Sequence, residues 1–152
     1  MKKVAVPMFV VLGLLAGVPM AQASDASLRH ALKNYETRLT TDIGYLSSFS
    51  APGRARASAA LHTIATVRGD LSGATAAGNS QQASSNSGRR GRALVLTGLS
   101  EASLAASDAR ASAVAARAGQ RAVARHDAQV EHGEIMRAVT SFEAGGRLLH
   151  LF

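Results

Sequence analysis

Residues 24–50 read SDASLRHALKNYETRLTTDIGYLSSFS, and the spacing of their bulky side chains decides the fold class. Leu28, Leu32, Tyr35, Leu39, Ile43, Leu46 and Phe49 follow one another at steps of three or four. Side chains so spaced line one side of an α-helix, where each residue advances the chain by about 100°. Arg29, Lys33, Glu36 and Arg38 fall off that line, and Arg38 can pair with Asp42 across one turn. Pro52 and Gly53 end the element, because proline constrains the residue before it and has no place in a helix interior.

The same rhythm resumes further on. Pro52 suits the first turn of a second helix, where its missing N–H costs nothing. Ala60, Ile64, Val67, Leu71 and Ala74 then repeat the three-four spacing, with Ala57 and Leu61 beside them. Two helices joined by so short a connection are expected to pack antiparallel. From Ala77 to Arg92 the text becomes AGNSQQASSNSGRRGR, which has no apolar anchor and is rich in turn formers. A polar, low-complexity linker at about 77–92 is therefore expected, with some of it able to extend the flanking helices.

The stretch from Ala93 to Ala144 has no proline and abundant alanine, a strong helix former. Val95, Leu99, Ala102, Ala106, Ala109, Ala113 and Ala116 keep heptad-like, coiled-coil steps, continued by Val123 and Val130. One straight helix does not satisfy the pattern. Ile135, Val139 and Phe142 return to the side occupied upstream by Arg110, Arg117 and Arg121. A break at Gly119 or Gly133 resolves the conflict, and the spacing does not choose between one very long helix and two shorter ones. Gly145–Gly146 reads as the terminating cap, and the apolar tail RLLHLF is expected to fold back on the helices. The fold expected is all-α: an antiparallel helical bundle or extended helical hairpin of three to four helices, in a single domain over 24–152.

Toward the amino terminus, Met1, Lys2 and Lys3 form a short positive segment, and an uncharged apolar run follows from Val4 to Met20. Ala21-Gln22-Ala23 then supplies the small-x-small pattern of a signal peptidase site. Residues 1–23 are thus expected to be a signal peptide, giving a secreted or periplasmic chain that begins at Ser24. An uncleaved anchor is the rival reading; Pro7, Pro19 and the cleavage-like tripeptide argue against it.

The chain has no cysteine, so helix packing must supply stability even in an oxidising compartment. Its formal net charge is +7, which raises affinity for polyanions and acidic membrane surfaces. Arg110, Arg117, Arg121 and Arg125, with His132, would fall within about a quarter of the circumference of one ideal helix. Such a ladder can follow spaced anions. A second basic cluster, Arg89, Arg90 and Arg92, sits in the polar linker. No aromatic side chain interleaves with the ladder, so platforms for stacking bases are lacking and sequence-specific nucleic-acid recognition is not expected.

Other chemistry has little support. His126, Asp127, Glu131, His132 and Glu134 are the densest group of metal-ligand types, but there is no HExxH and the two histidines point apart. His30, His62 and His150 are isolated, and no GxSxG or phosphate-cradling glycine pattern occurs. The expectation is a non-catalytic binding or structural accessory protein, with no metal and no cofactor. Its partner is expected to be another protein or a second copy. The alternative is a cationic module that holds an anionic polymer or envelope surface through its arginines.

Overall fold

The computed structural model describes residues 19–151, with side chains from Ser24 onward. Residues 1–18, the larger part of the expected signal peptide, lie outside the described residues. Every regular element is helical, and no strand occurs among the described residues. The order is α1 (Pro19–Lys33), α2 (Glu36–Ser47), a 3-10 turn at Arg54–Arg56, α3 (Ala57–Ser80), α4 (Asn86–Arg117) and α5 (Arg121–Leu149). The count is five among the described residues, where three to four were expected.

The extra helix comes from a break in the opening segment. At Asn34–Tyr35 the backbone slips from the α-helical pattern, and the Tyr35 N–H donates to the Leu32 carbonyl at 2.9 Å. The Tyr35 ring lies against Gly73 of α3, where an added Cβ would come within 3.0 Å of it. The apolar line nevertheless runs through both pieces. Leu28, Leu32, Leu39 and Leu46 are buried, and Tyr35, Ile43 and Phe49 pack against the same core.

Helix α4 is the centre of the assembly. It pairs most extensively with α5, then with α3, while α1 and α2 lie across α3 and α5. Of the two candidate break points, the chain turns at Gly119, which has φ +82°. The Gly119 N–H donates to the Ala116 carbonyl and the Gln120 N–H to the Ala115 carbonyl, the paired pattern that satisfies a helix's last carbonyls. Only glycine takes that φ without steric cost. Gly133 stays inside α5, on its exposed side.

Gly145–Gly146 does not end α5. The helix continues to Leu149, and His150 takes the left-handed position with φ 51°. Leu151 then donates its N–H back to the Gly146 carbonyl, and its side chain packs on the core. Gly145 serves close packing instead. A Cβ on Gly145 would lie 2.9 Å from the Gly91 carbonyl oxygen and from the Val95 backbone nitrogen. Gly98 faces Phe142 and the Ala138 carbonyl in the same way. Small residues thus bring the α4 and α5 backbones together, and Ser112 joins them near the turn by donating to the Ala124 carbonyl at 2.7 Å.

The expected linker at 77–92 contracts to residues 81–85, because its polar side chains cap helices. Ser85 accepts from the Gly88 N–H at 2.8 Å and starts α4. Asp25 of α1 accepts from the Ser84 N–H at 2.9 Å and from the Ser85 hydroxyl. These bonds hold its carboxyl below the usual range, the Ser85 hydroxyl contributing most. Arg92 donates to the Gly78 and Asn79 carbonyls at the end of α3. Serine and arginine here replace the missing partners of helix termini.

Gly145→Ala should lower stability by about 1–3 kcal/mol, since the clash is with backbone that has nowhere to move. Gly133→Ala, in open space on the same helix, should raise it by up to about 1 kcal/mol. Urea midpoints of the two variants check both signs.

Candidate anion-binding site

The sequence ladder assumed one continuous helix, and the turn at Gly119 divides it. Arg110 and Arg117 lie on α4, whereas Arg121, Arg125 and His132 lie on α5, which runs the opposite way. All five side chains are exposed. The structure brings Arg121 and Arg125 together with Arg54, a residue more than sixty positions earlier. These three arginines line one cleft of about 380 Å³, with Ala116 and Ala124 among its walls. The α2–α3 connection delivers Arg54, and the first turn of α5 delivers the other two.

The cleft lies where the α2–α3 and α4–α5 connections meet. No acidic residue occurs between Asp42 and Asp70, or between Asp108 and Asp127. Those two stretches hold Arg54, Arg56, Arg68, Arg110, Arg117, Arg121 and Arg125. From Ser24 onward the other basic residues number eight, against ten acids, and three of the eight, Arg89, Arg90 and Arg92, lie in a further acid-free run between Asp70 and Glu101. The stretches 43–69 and 109–126 meet at the α2–α3 and α4–α5 turns, where Ala51 and Ala57 pack on Ala115, Ala116 and Ala124, whereas Arg68 lies further along α3 beside Asn79, Ser103 and Ser107. Among the described residues, the ion pairs are Arg38–Asp70, Arg137 with Glu101 and Glu134, and Arg147–Glu143. None uses any of the seven arginines.

The sequence reading missed Arg54 because proximity along a helix was its only measure of neighbourhood. Acid-free, arginine-bearing stretches were the signal available, although the one between Asp70 and Glu101 does not reach the cleft. The linker arginines went the other way: Arg89 and Arg92 bind backbone carbonyls, and Arg90 remains exposed.

The group from His126 to Glu134 separates on folding. His126 and His132 face outward, while Glu131 is buried between helices. Among the described residues, no three His, Asp or Glu side chains converge so as to hold a metal ion. Glu131 has no hydrogen-bond partner for either oxygen. Burial, with Asp108 of α4 and Glu134 of its own helix, pushes its pKa up to about 8. Glu134 is shifted upward by burial and then by Asp108, and Tyr45 of α2 by burial and then by Glu131. Asp42 is shifted upward too, by burial and by Asp70. An interior carboxyl at neutral pH therefore keeps its proton, because ionising it without a partner costs several kcal/mol.

No protein-family model matches this chain, no curated protein matches it, and no solved structure matches it.

The shift at Glu131 implies a pH dependence of definite sign. Its folded pKa, about 8, lies above the ordinary glutamate value of 4.5. Between these values the unfolded chain releases the proton that the folded chain keeps, so stability falls as pH rises from about 5 to 8. Glu131→Gln removes that titration. The variant should match the parent near pH 5 and exceed it at pH 8, by on the order of 2–4 kcal/mol. Denaturant titrations at the two pH values measure the difference.

Proposed function

We propose that this chain is an exported, non-catalytic accessory protein that attaches by its arginine end to an anionic envelope surface. One observation carries the reading: Arg54 and Arg56 from one acid-free stretch and Arg117, Arg121 and Arg125 from another fold to the α2–α3 and α4–α5 turns, which pack on each other. Like charges so placed repel one another, and an anionic surface relieves that repulsion. Near such a surface each basic residue contributes roughly 1 kcal/mol, within a Debye length of about 8 Å at physiological salt. Contact at one end also leaves the opposite end, with its α1–α4 latch, free of the surface.

A second reading, contact with another protein, is favoured by a different feature. Between α1–α2 and α5 lies an apolar groove of about 390 Å³, walled by Leu39, Ile43, Val139, Phe142 and Leu151. Its rim carries Lys33, Glu36 and Glu143. A partner seated there would bind through apolar area, and its affinity would survive salt.

Sedimentation with vesicles containing phosphatidylglycerol, set against neutral vesicles, tests the first reading. Binding should be selective for the anionic vesicles and fall steeply with salt. Replacing Arg56, Arg110 and Arg117 with Gln should weaken it roughly hundredfold. The same loss of charge through Arg29, Arg90 and Arg147→Gln should change it little. Equal losses in the two triple variants would reduce the effect to net charge and overturn end-on attachment.

A further inference from the structure

We propose that the cleft formed by Arg54, Arg121 and Arg125 is a discrete site for a phosphate monoester, a group shared by some lipid headgroups and many soluble metabolites. The inference rests on the charged-end reading and goes further, from a diffuse field to one pocket with a defined ligand charge. Three arginines from two distant parts of the chain line a single concavity, and no acidic residue lines it with them. Guanidinium forks match the oxygens of phosphate in paired hydrogen bonds, which a compact ammonium does not.

The charge count selects the ester. A phosphate monoester carries close to two negative charges at neutral pH, as a phosphorylated side chain does. A carboxylate or a phosphodiester carries one. Three cations around one cavity are balanced better by the former. The start of α5 adds to the same field, because its cap residue Gln120 offers no side-chain acceptor to the first-turn N–H groups. Arg121 is both the first residue of that helix and part of the cleft wall. Gly119, also in the wall, has nothing within 4 Å of where a Cβ would stand, so the mouth beside it is open.

The test uses the protein recovered after export and two kinds of probe. Glycerol 3-phosphate, titrated calorimetrically against acetate at equal ionic strength, reads the soluble source. Vesicles of phosphatidic acid, compared with phosphatidylglycerol vesicles of matched charge, read the lipid source. Glycerol 3-phosphate should bind saturably, one per chain, and acetate should not. Arg54→Gln and Arg125→Gln should each weaken that binding about tenfold, consistent with loss of a charge-assisted hydrogen bond. Arg110→Gln, outside the cleft, should leave it within about twofold. All three side chains are exposed, so the variants should melt with the parent. Preference for phosphatidic acid over phosphatidylglycerol would place the ester on a lipid, and saturable binding of the soluble ester alone would place it on a metabolite. Salt-sensitive binding to both vesicles alike, with no saturable glycerol 3-phosphate binding, would overturn the discrete site while leaving end-on attachment standing. A tenfold loss at Arg110 equal to that at Arg54 would overturn it as well. Absence of any anionic vesicle binding, beside intact glycerol 3-phosphate binding, would sink the surface reading alone.

Discussion

The close approach of α4 and α5 governs where almost everything else in this molecule can lie. Two long helices rich in alanine bury little area per residue, and alanine contacts are individually weak. Gly91, Gly98 and Gly145 compensate by letting backbone meet side chain and backbone across the pair. That proximity multiplies many small dispersion contacts along the length of both helices. It also demands that the chain reverse tightly, and Gly119 with its left-handed backbone does so. The reversal puts Arg121 and Arg125 beside the loop that carries Arg54. Packing of small residues thus creates the charged cleft, although none of those residues carries charge.

The same pairing explains the buried carboxyl. Glu131 projects from α5 into the space shared by α4 and α2, where Asp108 and Tyr45 are its electrostatic neighbours. Closing the pair shuts water out, and the carboxyl answers by keeping its proton. Charge is therefore handled in two opposite ways. Arginines collect on the outside at the α4–α5 turn, whereas Glu131 sits within the helix array and keeps its proton.

Much of the architecture was legible along the chain. The rows Leu28–Leu46 and Ile64–Ala74 are on the buried side of α1–α3, and Val95 through Ala113 line α4. Helical spacing is a local property, set by bonds between residues four apart, so a linear text can carry it. The polar segment 77–92 was harder to read. Ser85, Asp25 and Arg92 turn what resembles a loop into two helix ends, and two of these partners lie outside the run that they complete or on its margin. Glycine was ambiguous for a related reason. Gly119, Gly133 and Gly145 are alike in the sequence, yet one reverses the chain, one lies idle on a surface and one admits a neighbouring backbone.

By itself the sequence determined that the chain would be helical, that a break was needed between Val95 and Phe142, and how much charge would be carried. It also contained, among others, the acid-free stretches 43–69 and 109–126. Only the tertiary structure decided that those stretches meet at the α2–α3 and α4–α5 turns, that Arg54 joins Arg121 and Arg125, and that Glu131 is sealed inside. The physical reason is one of range. Periodicity and net charge arise within a helix or over the whole composition, while convergence of distant side chains depends on how closely helices can pack, and here that distance is set by the absence of a few Cβ atoms.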